Sequence, residues 1–185
     1  MRSVLVVVAL TVCAAAFAQP VTLTDDFSGY AAGSDGSPKW STDVVSWEVR
    51  DGKYEFSGGG SPAMLANQPR YRTLSMEATV LVRKATNPEW KVVGLGFIDS
   101  PGNRWHLALV ESPDNHNSRH LVDLAQCKDG AWPTSAGTKT VVDDGMNLNW
   151  QFNTPYRLRI SLTAKGVEGE VSDMAGKRLA RKVVE

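Results

Sequence analysis

The side chains best suited to chemistry are a few carboxylates and three histidines, and they form no complete catalytic motif. Glu168 and Glu170 alternate along one apparent strand, so both point to the same side of it, and Glu77 holds a similar position on an earlier strand. With His106, these glutamates are the candidate catalytic residues, because paired carboxylates can hydrolyse a glycosidic bond. The competing interpretation is a solvated polar sheet face, since a hairpin would bring Arg159 close to Glu170. A G-x-S-x-G elbow and a phosphate-binding loop are absent from the sequence.

The other two histidines, His116 and His120, are four residues apart, a spacing that suits a metal ion only on a helix. The segment 112–118 reads SPDNHNS, which is typical of a loop, and no third ligand occurs at a recognisable spacing. We therefore expect His116 and the nearby Arg119 to contact a ligand or solvent, and His120 to open the next strand.

Three of the six tryptophans, Trp90, Trp132 and Trp150, lie in or beside segments that read as loops. A loop tryptophan presents a flat apolar face that stacks on a sugar ring, while neighbouring polar side chains bond the hydroxyl groups. These three residues, with His116 and Arg119, are the predicted carbohydrate-binding residues. The alternative is that the rings fold back over the ends of the fold and cover its core.

The elements that must position these residues are strands, because the dominant period after residue 20 is two. Apolar and polar residues alternate in LSMEATVLVR (74–83) and in YRLRISL (156–162). Asp51-Gly52 and Lys165-Gly166 predict hairpin turns between such runs. About ten short strands separated by turns predict an all-β fold, an antiparallel β-sandwich or a jelly roll.

Residues 1–18 predict an export signal that is removed. Arg2 is followed by an uncharged apolar run that ends on Ala16-Phe17-Ala18, a small-x-small cleavage site. The run is shorter than the roughly 20 residues of a membrane span. Lipidation at Cys13 is the alternative. We expect a secreted protein, in the periplasm or the medium, in which residues 19–185 form a single domain.

The composition after cleavage argues against several classes of partner. Loss of Arg2 leaves 19 of the 20 basic residues against 20 acidic ones, with no basic run. Nucleic acids and anionic membranes, which require clustered positive charge, are therefore not expected as partners. Cys127 would be unpaired, because Cys13 leaves with the signal. We expect Cys127 to be a small buried side chain; a reactive or intermolecular thiol is the alternative.

Several segments together resemble the concanavalin A-like, laminin-G-like jelly rolls of secreted bacterial proteins. They are DDFSGYAAGSDGSPKW (25–40), WEVRDGKYEFSG (47–58), LSMEATVLV (74–82), VGLGFIDSPGNRWHLALV (93–110) and YRLRISLTAKGVEGEV (156–171). The resemblance extends over most of the chain after residue 18 and consists of a shared pattern of strands and turns. It implies the concanavalin A-like lectin or glucanase type of sandwich, which hosts many functions.

The resemblance also implies chemistry that can be compared with this chain. Secreted glucanases of this fold carry E-x-D-x-x-E on one strand, and the motif is absent here. The 3-keto-disaccharide hydrolases, similar in layout, carry N-S-G-I where this chain reads VGLGFID, so none of their active-site residues is carried over. Such jelly rolls often hold a structural Ca²⁺ between the first strand and a late one. This implies Asp25, Asp26 and Asp173 as candidate calcium ligands.

Jelly rolls of this kind end with a strand that returns beside the first, whereas this chain ends at RLARKVVE (178–185). We therefore expect a domain truncated at its C-terminus, or the N-terminal part of a longer polypeptide. The leading hypothesis is a non-catalytic secreted module that binds a glycan or polysaccharide, or is accessory to a larger exported enzyme. A sugar-directed hydrolase and a structural cell-surface adhesion module are the alternatives, and none of the three requires a cofactor.

Overall fold

The computed structural model describes residues 22–42, 46–58, 62–68, 70–132 and 148–185. The predicted export signal, with Cys13, lies outside these residues. The described chain consists of antiparallel strands with one short 3₁₀ turn and no α-helix, which confirms the all-β prediction. It divides into two compact units between residues 69 and 70, and each is described by itself.

The first unit consists of short strands and a cluster of aromatic rings. Strand β1 (Trp40–Ser41) pairs with β4 (Met64–Leu65), and β2 (Trp47–Arg50) pairs with β3 (Lys53–Phe56). Asp51 and Gly52 have φ of 51° and 65° and turn the chain between β2 and β3, as the Asp-Gly pair predicts. Neighbouring rings have centroids 4.9–5.7 Å apart in a cluster of Phe27, Trp40, Trp47, Tyr54 and Phe56.

The second unit contains two antiparallel sheets. One has four strands in the order β11-β10-β9-β5, and the other has three in the order β6-β7-β8. The strands are β5 (Leu74–Val80), β6 (Lys91–Ser100), β7 (Asn103–Glu111), β8 (His120–Cys127), β9 (Tyr156–Thr163), β10 (Gly166–Ser172) and β11 (Arg178–Val184). A 3₁₀ turn, η1 (Asp114–His116), lies between β7 and β8, and His120 opens β8 as predicted.

The hairpin predicted at Lys165-Gly166 is present, with its turn shifted by one residue. Thr163 pairs with Gly166, so Ala164 and Lys165 form the two-residue loop and Gly166 begins β10. Gly166 has a φ of 127°, a backbone conformation that glycine adopts more readily than other residues. This explains why a glycine stands at the first position of β10.

The two sheets of the second unit pack on one shared hydrophobic core. It is formed by Trp105, Leu107, Leu109, Val122, Leu124, Trp150, Tyr156, Leu158, Ile160, Val167 and Val171. Each of these side chains is at most 9% exposed, and burial of a large aliphatic side chain stabilises a fold by roughly 1.5–3 kcal/mol. The unit is therefore a two-layered β-sandwich. Cys127 is also buried and is a free thiol, as predicted.

Strand alternation gives each sheet an outer face, opposite to the core. On the four-stranded sheet this face carries Glu77, Arg157, Arg159, Glu168, Glu170, Arg178 and Arg181. On the three-stranded sheet it carries Gly94, Gly96, Arg104, His106, Ala108, Asp123 and Ala125. Of these, Ala108 and Ala125 are themselves buried. The shared core lies between the two faces, so their side chains lie on opposite sides of it.

Candidate ligand-binding site

Four side chains meet on the outer face of the three-stranded sheet, and we refer to them as the Trp132 cluster. Arg104 and His106 come from β7, Asp123 comes from β8, and Trp132 follows the turn after β8. The ring centroids of His106 and Trp132 are 4.2 Å apart, with an angle of 22° between the ring planes. The Cζ atom of Arg104 lies 5.1 Å from the Trp132 ring centroid, in a cation–π contact.

The position of Trp132 follows from a tight turn after β8. Asp129 and Gly130 have φ of 51° and 80°, the conformation that Asp-Gly favours in a two-residue turn. The turn is attached to the β6–β7 turn, because the Asp129 N–H donates to Asn103 Oδ1 at 2.9 Å and the Gly130 N–H donates to Gly102 O at 2.8 Å. The chain is thereby reversed, so that Trp132 lies against the side chains of β7.

The indole of Trp132 contacts two side chains of β7 and remains partly accessible. Arg104 and His106 are two residues apart on β7, so both point to the same side of the strand and both contact the ring. Trp132 nevertheless retains 37% of its surface exposed. A partly exposed indole can stack on the flat face of a sugar.

His106 and Asp123 form a second contact within the cluster. Asp123 lies opposite Ala108 in the β7–β8 register, diagonal to His106, and its Oδ2 is 3.4 Å from His106 Nε2. The other carboxylate oxygen, Oδ1, is buried and has no hydrogen-bond partner among the described residues. A buried carboxylate oxygen without a donor is energetically costly, so Asp123 is not explained by the hydrogen bonds of the described residues.

Beside the cluster, strand β6 exposes backbone that carries no side chains. Gly96 lies opposite His106 in the register, and both Gly94 and Gly96 are exposed. Glycine is also required by packing, because a Cβ at Gly94 would lie 2.1 Å from the carbonyl oxygen of Leu107. The consequence is exposed backbone of β6 beside His106.

The three glutamates predicted as catalytic lie on the other sheet, each beside an arginine. The pairs are Glu77–Arg157 at 3.5 Å, Glu170–Arg159 at 3.5 Å and Glu168–Arg181 at 2.7 Å. The hydrogen bond from Arg181 lowers the pKa of Glu168 below its usual 4.5, although partial burial acts in the opposite direction. Because the core separates these glutamates from His106, the four candidate catalytic residues do not form one site. The arrangement favours the competing interpretation, a solvated polar face.

The remaining predicted ligand-binding residues lie beyond the other end of β7. His116 and Arg119 are exposed between β7 and β8, and the first N–H of η1 donates to the carbonyl oxygen of Pro88 at 3.0 Å. This bond joins the η1 turn to the loop that carries Trp90, which is 55% exposed. The predicted ligand-binding residues are thus divided between two places, because Trp132 contacts the opposite end of β7.

Trp150 is enclosed by the sandwich and is only 2% exposed. Its Nε1–H faces the carbonyl oxygens of Val110 and Leu121 at 3.0 and 3.1 Å, and its ring stacks on His120 with centroids 3.8 Å apart. A ring enclosed in this way offers no platform to a sugar. Trp150 instead covers the core, which is the alternative that the sequence left open.

His120 belongs to a row of ionisable side chains in register across three strands, Lys91, Glu111 and His120. Glu111 Oε1 is 2.7 Å from Lys91 Nζ, and Oε2 is 2.9 Å from His120 Nε2. Burial raises the pKa of Glu111, but the hydrogen bonds from Lys91 and His120 outweigh it, so the pKa lies below the usual 4.5. These groups bond one another, and the row therefore ties the strands together rather than forming a ligand site.

The predicted calcium ligands Asp25, Asp26 and Asp173 accept hydrogen bonds from the protein. The Asp25 carboxylate accepts bonds from Trp40 Nε1 and Tyr30 Oη, both at 2.8 Å. Asp26 and Asp173 accept backbone N–H groups of the turns that follow them. Among the described residues, no group of three or more His, Cys, Asp or Glu side chains could hold a metal ion. Calcium at these residues stays a prediction from the sequence.

Two members of the Trp132 cluster, Arg104 and Asp123, were not predicted as functional residues. A signal for Asp123 is present in the sequence, since it is the single charged residue in the apolar strand LVDLAQC (121–127). Arg104 is two residues from His106 on β7, so strand alternation predicts that both side chains point to the same side of the strand. Arg104 contacts Trp132 directly, whereas Asp123 contacts His106. The position of Trp132 against β7 depends on the turn after β8, which strand alternation does not predict.

Comparisons of the chain with protein-family models, with curated proteins and with solved structures gave no significant match. Within the described residues, the structure has no helix of the length and apolarity needed to cross a membrane.

Proposed function

We propose that the chain is a secreted, non-catalytic β-sandwich module that binds a glycan or polysaccharide through the Trp132 cluster. The observation that carries this proposal is Trp132, which is stacked on His106 at 4.2 Å and is still 37% exposed. Arg104 provides a polar group beside the ring, and Asp123 lies beside His106. One aromatic platform with a few polar anchors is the composition typical of a sugar site.

The concanavalin A-like jelly-roll form and the export of the chain belong to the same proposal. Two antiparallel sheets on one core support the sandwich, and the apolar run of residues 4–18 supports export. Outside the cell, a polysaccharide is a fitting partner for an exposed aromatic platform. A further domain of the same polypeptide would be a second partner, and the module would then direct a larger exported enzyme to its substrate.

Binding can be tested by titrating the purified chain with a panel of soluble glycans, followed by tryptophan fluorescence and by calorimetry. We expect at least one glycan to bind, and we expect Trp132→Ala to weaken that binding at least tenfold. Calorimetry is needed alongside fluorescence, because the substitution removes a fluorophore as well as a contact. Trp90→Ala is the matched variant, since it removes another exposed tryptophan outside the cluster and should leave the affinity unchanged.

Two results would contradict this proposal. Loss of binding in Trp90→Ala but not in Trp132→Ala would place the glycan at the loop that carries Trp90, beside His116 and Arg119. Failure of every glycan in a broad panel to bind would argue against carbohydrate recognition. The structural adhesion module would then be the better hypothesis.

A sugar-directed hydrolase, of the glycosidase or 3-keto-disaccharide hydrolase type, is the second candidate. The observation that favours it is the contact of 3.4 Å between His106 Nε2 and Asp123 Oδ2, since a histidine oriented by a carboxylate can act as a general base. Release of reducing sugar that is lost in His106→Gln and retained in Glu170→Gln would support this hydrolase. Loss in Glu170→Gln instead would assign the activity to the other outer face.

A further inference from the structure

Arg104 differs from the arginines of the opposite face in what neutralises its charge. On the four-stranded sheet, arginines 157, 159, 178 and 181 each lie within 3.8 Å of a glutamate oxygen. Arg104 is exposed, and no carboxylate in the described part of the second unit forms an ion pair with it. Arg104 instead forms a cation–π contact with the ring of Trp132. The cluster therefore presents a positive charge that forms no ion pair with the described carboxylates of the unit.

The contact with Trp132 also prepares Arg104 for binding. A guanidinium that lies over an indole is restrained by the ring. Its N–H groups point outward in the plane of the guanidinium, where they form a fork of donors. That fork matches the two oxygens of a carboxylate or a sulfate, and such paired, charge-assisted hydrogen bonds are stronger than bonds to a neutral hydroxyl. An anionic group on a sugar stacked over Trp132 would meet these donors directly.

The one acidic member of the cluster does not cancel this preference. Asp123 lies opposite Ala108, four residues along β7 from Arg104, which corresponds to roughly 13 Å along the strand. Its side chain is only 16% exposed, and its Oδ2 faces His106. The cluster is thus polarised along β7, with an exposed cation at one end and a largely buried carboxylate at the other.

We propose that the glycan bound by the Trp132 cluster carries an anionic group, either a uronate carboxylate or a sulfate ester, and that Arg104 binds this group. The inference rests on the proposed function, because it assigns a substrate class to the same site. Trp132 provides the platform for the ring, and Arg104 selects the charged sugar over its neutral counterpart.

The test compares matched pairs of ligands by calorimetry at low salt. Oligogalacturonate is compared with its methyl ester, and a sulfated galactan with the desulfated chain, so that the two arms separate carboxylate from sulfate. We expect one of the two anionic ligands to bind at least tenfold more tightly than its neutral counterpart. The preference should disappear in Arg104→Gln and survive in part in Arg104→Lys. Arg178→Gln, an exposed arginine on the opposite face, should leave it unchanged.

The possible failures can be told apart. If a neutral ligand binds as tightly as the anionic one, and Trp132→Ala abolishes both, carbohydrate binding stands and the role of Arg104 is overturned. The same conclusion follows if the anionic preference survives in Arg104→Gln. If neither member of either pair binds, and the wider panel also fails, the proposed function itself is overturned.

Discussion

Glu111 lies directly opposite His120 across β7 and β8, with its Oε2 2.9 Å from the histidine Nε2. The other oxygen of the same carboxylate is 2.7 Å from Lys91 Nζ on β6, and the glutamate side chain is only 7% exposed. A single buried carboxylate therefore connects all three strands of this sheet, next to the buried ring of Trp150.

Replacement of Glu111 by Gln should lower the free energy of unfolding by about 3 kcal/mol at pH 7, because removal of a buried partner leaves the Lys91 ammonium paired with the exposed carboxylate of Asp114, 3.0 Å away. The pKa of Glu111 is lower in the folded state than its usual 4.5. Its stabilising contribution is therefore present above pH 4.5 and is lost as the pH falls through the folded-state pKa. Chemical denaturation at several pH values should show a smaller acid loss in Glu111→Gln than in the wild type.

Glu89→Gln is the control for this experiment, since Glu89 is exposed in the loop before β6. It should unfold like the wild type at every pH. Equal stability of Glu111→Gln and the wild type at pH 7 would show that the Glu111 carboxylate contributes nothing to the free energy of unfolding.

Asp25 should make the first unit sensitive to acid. Burial raises the pKa of Asp25, but hydrogen bonds from Trp40, Phe27, Tyr30 and Lys39 together lower it from 3.8 to about 2. The carboxylate stabilises the unit above pH 3.8, and this contribution, on the order of 2 kcal/mol, is lost as the pH falls towards 2.

Asp25→Asn should therefore destabilise the first unit at pH 6 and change little at pH 2. Unfolding can be followed by the fluorescence of Trp40 and Trp47, which lie in this unit. Asp26→Asn alters the neighbouring exposed carboxylate and should have the smaller effect. A larger effect for Asp26→Asn would contradict the assignment of the acid-sensitive contact to Asp25.

Gly94→Ala should destabilise the second unit by roughly 1–3 kcal/mol, the usual effect of forcing an extra carbon into packed structure. The added Cβ would lie 2.1 Å from the Leu107 carbonyl oxygen, so β6 and β7 would have to separate. Thermal denaturation measures the effect. Gly29→Ala, where a Cβ meets nothing within 4 Å, is the comparison, and an equal shift in both variants would contradict the close approach.

Glu168→Gln should change the free energy of unfolding by less than about 1 kcal/mol, because the Glu168–Arg181 pair is partly exposed. The side chains of this pair are 26% and 46% exposed. Urea denaturation in 0.1 M and 1 M salt would show whether even this small contribution is screened. If Glu168→Gln lowered the free energy of unfolding by several kcal/mol, the Glu168–Arg181 pair would instead behave as a buried ion pair.

Much of the fold could be predicted because strand alternation and turn chemistry are local properties. The runs 74–83 and 156–162 became β5 and β9 with the expected faces, and Asp51-Gly52 formed the expected turn. The turn predicted at Lys165-Gly166 moved by one residue, since several turns fit the same short segment. Which strands become neighbours depends on pairing between distant segments, and periodicity carries no information about it.

The site was predicted only in part for the same reason. His106 and Trp132 were both identified from their residue types, but as members of different candidate sites. Their stacking requires the turn at Asp129-Gly130 to fold the chain back over β7. Trp150 looked equivalent to Trp132 because both follow loop-like segments. The two residues differ in burial, which depends on the packing of two sheets.

The central position of β9 in the four-stranded sheet affects the order in which the unit can assemble. Strand β10 follows β9 after a two-residue loop, whereas the partner on its other side, β5, lies far away in the chain, with Met76 paired to Ile160. Closing so long a loop costs entropy before the new contacts compensate, and sheets rich in distant pairings fold slowly. The β9–β10–β11 meander can form early from local contacts, while β5 must wait unpaired until β9 has been synthesised.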